Sequence, residues 1–83
     1  MKQKNLKELA AAIAELTSPA EVIEFLRGIL TPKELLEIPQ RLQIVKMLKQ
    51  GVPHRQISGE LKVGIATVTR GSKELQKGRF RNV

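Results

Sequence analysis

The stretch PHRQISGELKVGIATVTRGSKELQ, residues 53–76, decides how the rest of the chain is read. Pro53 opens a helix that runs to Leu61, Lys62-Val63-Gly64 makes a tight turn, and Ile65 to Gln76 forms a second helix ended by Gly78. Proline suits the first turn of a helix and glycine the position just past its end. Two short helices joined by a Gly-containing turn are the helix-turn-helix plan. Steep packing of the pair needs apolar residues at set positions. Ile57 and Leu61 face inward from the first helix, Val63 plugs the turn, and Val68 faces inward from the second. Ser58 is small enough to let the second helix approach. Lys62 stands where such turns often have Gly, and Gly71 stands where the second helix often has Ile or Val.

An ordinary helical hairpin would share this packing, and charge separates the two readings. The chain has 83 residues and a net charge of +7. Residues 1–37 carry five basic and six acidic side chains, net −1, whereas residues 38–83 carry ten basic and two acidic ones (Glu60 and Glu74), net +8. A strongly basic half that contains the helix-turn-helix points to a polyanion partner. With Phe25 and Phe80 as the only aromatic residues, recognition by stacking on single-stranded nucleic acid is disfavoured.

The flanking sequence is helical throughout. Leu6, Leu9, Ala10, Ile13 and Leu16 recur at helical spacing on one face. Ser18-Pro19-Ala20-Glu21 is a helix start, with Ser18 as N-cap, and its helix carries Val22, Ile23, Phe25 and Leu26 to about Gly28. Thr31-Pro32-Lys33-Glu34 repeats the signal and starts a short third helix with Leu35, Leu36 and Ile38. Pro39 is expected to break or restart the chain. From Gln40 to Gln50 the apolar stripe of Leu42, Ile44, Val45, Met47 and Leu48 is wide, which predicts a helix buried on more than one side and ended by Gly51. The tail 78–83 is basic and is expected to fray.

These features bound the function. The length suits one domain, and a chain this short buries only about two-thirds of its unfolded surface, which makes oligomerisation a plausible helper. With no cysteine there is no disulfide or thiolate zinc site, and His54 cannot hold a metal alone. Aspartate is absent, and no nucleophile–base pairing or phosphate-cradling glycine loop is present, so an enzyme is the least favoured reading. No apolar run is long enough for a membrane span, and the start MKQKNLKEL lacks an apolar signal core, so the chain reads as cytoplasmic.

In a helix-turn-helix the N-terminal residues of the second helix enter the major groove. Here those residues are Ile65, Ala66, Thr67 and Thr69, whose methyl and hydroxyl groups suit base edges. Arg55, Lys62, Lys73 and Lys77 stand near enough in sequence to hold phosphates.

Gly64-Ile65-Ala66-Thr67-Val68-Thr69-Arg70-Gly71-Ser72 resembles the turn and recognition helix of the tryptophan repressor family. Leu30-Thr31-Pro32, Gln40-Arg41-Leu42-Gln43-Ile44-Val45 and Leu48-Lys49-Gln50-Gly51 resemble that family's central segment at matching separations, so the likeness covers about residues 28–77. The resemblance implies an all-α fold and an intertwined homodimer. In it, 1–27 would be a dimerisation arm, 28–51 the core helices, 53–77 the reading head and 78–83 a basic tail, all in one domain. It implies a bacterial repressor, on the nucleoid when bound, reading a palindromic operator. It also implies L-tryptophan as corepressor and no metal.

The ligand roles that follow by resemblance fall on particular residues. Arg41 and Arg70 would sandwich the indole, and Arg70 would grip the carboxylate with help from Thr31. Backbone carbonyls near Gly28 and Leu30 would accept from the ammonium, and Val45 and Gly71 would line the slot, where a side chain on Gly71 would crowd the ligand. Glu74 stands where the family has Ser, and it would either accept from the ammonium or pair with Arg70 one turn back. The stretch from Val52 to Ile57 is one residue shorter than in the tryptophan repressor, as in a related branch of regulators without an established ligand. Two rival readings follow: a constitutive DNA-binding regulator, and a helical protein-interaction module.

Overall fold

Five helices organise residues 2–83, the part of the chain described by this computed structural model: α1 (Lys2–Ala14), α2 (Pro19–Ile29), α3 (Pro32–Lys49), α4 (His54–Leu61) and α5 (Ile65–Gln76). No strand occurs among the described residues, so the fold is all-α. The chain divides into two compact units, 1–35 and 36–83.

In the first unit, local side-chain chemistry sets the helix starts. The Ser18 hydroxyl accepts from the Glu21 N–H at 3.2 Å, while the Thr17 N–H donates back to the Glu21 carboxylate at 2.9 Å. Thr31 and Glu34 make the same exchange, with the Glu34 N–H donating to the Thr31 hydroxyl at 3.2 Å and the Thr31 N–H donating to the Glu34 carboxylate at 2.9 Å. Each box satisfies backbone donors that a helix start leaves orphaned. α1 stops before Leu16, which is held instead by a turn from its N–H to the Ile13 carbonyl. α2 runs one residue past Gly28, to Ile29.

The core lies in the second unit. Ile44 of α3, Ile57 of α4 and Val68 of α5 are 1%, 0% and 0% exposed, and Met47, Leu48, Val52, Leu61 and Val63 pack around them. The positions expected to face inward from the helix-turn-helix therefore do so. Between its helices Lys62 takes a left-handed conformation (φ 56°), as glycine would there. Ser58 does more than stay small, because its hydroxyl donates to the Val63 carbonyl and fixes the turn.

Three expectations are corrected. First, Pro39 does not break the chain: α3 is one 18-residue helix that runs through it. A proline inside a helix removes one hydrogen bond and costs roughly 3 kcal/mol. The burial of Ile44 and Val45 one to two turns later offsets this locally, and so does the Gln40 amide, which donates to the Leu61 carbonyl at the end of α4 at 2.9 Å. Second, the 40–50 helix is covered on one side within this chain, since Leu42 stays exposed while Ile44 and Val45 are buried. Third, the tail is not frayed. Lys49 donates from Nζ to the main-chain oxygens of Phe80 and Val83 at 2.5 and 2.6 Å, and Phe80 is half-buried. An ammonium with three donors holds both oxygens at once, an anchor more than 30 residues away in sequence.

Candidate ligand cleft and nucleic-acid interface

α3 and α5 approach closely because Gly71 has no side chain. A Cβ there would lie 3.2 Å from Ile44 Cγ2, tighter than most such contacts, and 3.6 Å from Leu48 Cδ1, an ordinary contact. A side chain at this position would thus make the Ile44 methyl give by a few tenths of an ångström, a packing reason for glycine beside the ligand reason expected from the resemblance. Beside this contact the two helices frame a cleft of about 400 Å³. Arg41 and Val45 line it from α3, Arg70, Gly71 and Glu74 from α5. Five of the eight residues expected to bind ligand are therefore brought together. The other three, Gly28, Leu30 and Thr31, belong to the first unit. There Thr31 caps α3, Leu30 caps α2 through its N–H to the Leu26 carbonyl, and Gly28 lies within α2.

The chemistry of the cleft is mixed. Ile44 and Val45 supply an apolar floor, and both arginines are exposed, without a hydrogen-bond or ion-pair partner among the described residues. Glu74 does not pair with Arg70. Its Oε2 lies 3.2 Å from Lys77 Nζ, one turn onward, and is covered from solvent with no donor in hydrogen-bonding alignment. The i,i+3 partner is as near in sequence as the i−4 one, so spacing alone does not choose between them. Lys77 keeps 62% of its side chain exposed in this pair.

The expected reading surface is open. Ile65, Ala66 and Thr67 are exposed at the start of α5, and Thr69 is half-buried. Ala66 and Thr67 also border the cleft, so one helical turn faces both the outer surface and the ligand space. Arg55, Lys62 and Lys73 are exposed on α4, the turn and α5. A smaller cavity of about 180 Å³ continues past Arg41 and Thr67 to Glu37, Gln40 and Gly64. Among the described residues no cluster of His or acidic side chains could hold a metal, and no helix is long and apolar enough to cross a membrane.

Sequence reasoning missed Phe80, which completes the cleft wall. The signal was present: it is one of two aromatic residues in the chain, placed just after Gly78, whose φ of +81° reverses the backbone.

Comparison with known proteins identifies the family of the chain. The family described as Trp repressor protein matches residues 4–81. Among curated relatives, a Trp operon repressor homolog of Aliivibrio salmonicida is 37% identical over 76 residues, 90% of this chain and 70% of the relative. Those of Actinobacillus succinogenes and Vibrio cholerae are 46% identical over 54 residues (64% of this chain, 54% of the relative) and 51% identical over 49 residues (58% and 48%). The chain thus spans about half the length of most of the curated relatives it matches. No solved structure matches it significantly. The relatives carry the name of a repressor, which is a regulator and not an enzyme. With the family match running across all but a few terminal residues, the chain belongs to the Trp repressor family.

Proposed function

We propose that the chain is a sequence-specific, cytoplasmic DNA-binding repressor that uses L-tryptophan as corepressor and acts as a homodimer on a palindromic operator. The observation that carries the proposal is the cleft beside the helix-turn-helix, with Arg41 and Arg70 on its walls and Ala66 and Thr67 shared with the reading surface. A planar guanidinium stacks on an aromatic face and grips a carboxylate with two donors, so two arginines over an apolar floor suit an aromatic amino acid. The Glu74 carboxylate, which lines the cleft beside its pair with Lys77, offers an acceptor for the ammonium. Thr31, Gly28 and Leu30 keep, within this proposal, the roles that the resemblance assigns them.

Base contacts fall to Ile65, Ala66, Thr67 and Thr69, and phosphate contacts to Arg55, Lys62, Lys73 and Lys77. Because Ala66 and Thr67 border the cleft, a ligand there biases the start of α5 directly. Tryptophan raises operator affinity only so far as it binds the DNA-competent state more tightly than the other. The constitutive reading needed Glu74 to neutralise Arg70, and the pairing of Glu74 with Lys77 argues against it. The interaction-module reading leaves the exposed start of α5 without a role.

The chain has no Trp and no Tyr, so L-tryptophan fluorescence reports binding without protein background. Arg70→Ala is expected to weaken tryptophan binding at least tenfold and to abolish the tryptophan dependence of operator binding. Unchanged affinity in that variant overturns the role of Arg70, and operator binding indifferent to tryptophan overturns the corepressor. If about six phosphates are neutralised per dimer, log K falls with log salt at a slope near −5. A slope near zero removes DNA from the account.

A further inference from the structure

The cleft has one wall that the helix-turn-helix pattern does not supply. Phe80 reaches it from the tail, and the tail is held by a defined set of bonds. Gly78 turns the backbone at φ +81°, the Arg79 N–H donates to the Glu74 carbonyl at 3.3 Å, and the Val83 N–H donates to the Phe80 carbonyl at 3.3 Å. Lys49, in the last turn of α3, then donates to the main-chain oxygens of Phe80 and Val83 together. The tail therefore ties the end of α5 to the end of α3, the two helices that frame the cleft. Its one aromatic side chain is half-buried along the cleft, while Arg81, beside it in sequence, is exposed and lies over Gly78.

We infer that Phe80 is a ligand-contacting residue that selects for a flat aromatic side chain, and that Lys49 is the positioning residue that holds it there. The inference rests on the reading of the cleft as an amino-acid site. The remaining apolar walls, Ile44, Val45 and Ala66, are aliphatic, and they discriminate weakly between an aromatic ring and an aliphatic chain of similar bulk. An aromatic wall adds a preference for another ring beyond simple area burial. Lys49 does not line the cleft and donates to main-chain oxygens of the tail, so its effect on a ligand passes through Phe80.

The test is a fluorescence titration of L-tryptophan, with competition by L-leucine, on the whole chain and on Phe80→Ala, Phe80→Leu, Lys49→Met and the Lys49→Met/Phe80→Ala double variant. Phe80→Ala is expected to weaken tryptophan about tenfold and to narrow its advantage over leucine, as loss of an aromatic contact does. Phe80→Leu keeps the bulk and loses the ring; it is expected to narrow the same advantage, and it serves if Phe80→Ala does not fold. Lys49→Met is expected to weaken tryptophan several-fold in the parent and not at all in the Phe80→Ala background, because it acts only through Phe80. Amide exchange without ligand reads the latch separately, with Arg79 and Val83 losing protection in Lys49→Met. Tryptophan binding that is intact in the parent and unchanged in both Phe80 variants overturns the inference and leaves the amino-acid site standing. A parent chain that binds neither tryptophan nor leucine overturns both. An equal effect of Lys49→Met in the two backgrounds overturns the positioning role alone.

Discussion

The two units of the chain use apolar residues differently. In 36–83, Ile44, Ile57 and Val68 are sealed from water, with five more apolar side chains packed around them. In 3–35 no described side chain is buried, although Leu6, Ile13, Ile23 and Ile29 present apolar surface to solvent. In the first unit, capping boxes at Ser18 and Thr31 set helix starts within one turn, and apolar side chains such as Phe25 and Leu26 are only half-buried. The second holds its shape by contacts that cross from helix to helix. Periodicity creates an apolar stripe in both, and only the second closes a core over it. Under the homodimer proposed above, the open stripe of the first unit is the surface that a second copy covers.

The largest effect sharpens this contrast. Ile57→Ala opens a cavity at a fully buried position and is expected to cost roughly 2–5 kcal/mol. That is a large share of the 5–15 kcal/mol available to a typical domain, and more of a small one. Ile23→Ala, at a half-exposed position of α2, is expected to cost well under 1 kcal/mol in dilute protein. Urea denaturation followed by circular dichroism measures both. Equal costs would break the comparison, because Ile23 would then be buried in solution by something this single chain does not contain.

A smaller effect concerns the face of α3 that carries Leu36, which is 77% exposed. A glutamate at position 36 has little to disturb in a monomer. In a dimer that covers Leu36, Leu36→Glu removes roughly 1.5–3 kcal/mol of burial and adds the cost of burying a charge. The dimer dissociation constant is therefore expected to rise at least tenfold in sedimentation equilibrium, with the unfolding of dilute protein unchanged. A dissociation constant that does not move excludes this face from the interface.

How much of the molecule was legible follows the same division between local and distant causes. Ser18, Thr31, Gly64 and the inward set Ile57, Leu61, Val63 and Val68 could be read because each signal acts within a turn or two. Arg41, Val45, Arg70, Gly71 and Glu74 could be grouped because the resemblance supplied the fold that joins them. Pro39 misled because its local penalty is outweighed by packing that includes a bond to Leu61, 21 residues away. Phe80 was missed for the same reason, since the lysine that anchors its carbonyl lies 31 residues earlier. Glu74 is the intermediate case: its sequence position offered a ligand ammonium or Arg70 as partner, whereas the structure pairs it with Lys77, a choice that spacing alone does not make.

The smallest effect separates stability from function at one residue. Lys62 holds a left-handed backbone at the turn, a conformation that costs a side-chain-bearing residue about 1–2 kcal/mol. Lys62→Gly removes that strain but gives the unfolded chain more freedom, about 0.5–1 kcal/mol, so the net stabilisation is expected to be about 0.5–1 kcal/mol. The same change deletes a proposed phosphate contact, which is expected to weaken operator and non-specific DNA alike and to reduce the salt slope by about one per site. Opposite signs in thermal unfolding and in DNA binding would mean that a lysine is kept at a glycine position for the charge it presents. If stability rises and DNA binding is untouched, Lys62 is surplus to the interface, and the phosphate contacts reduce to those on the helices themselves.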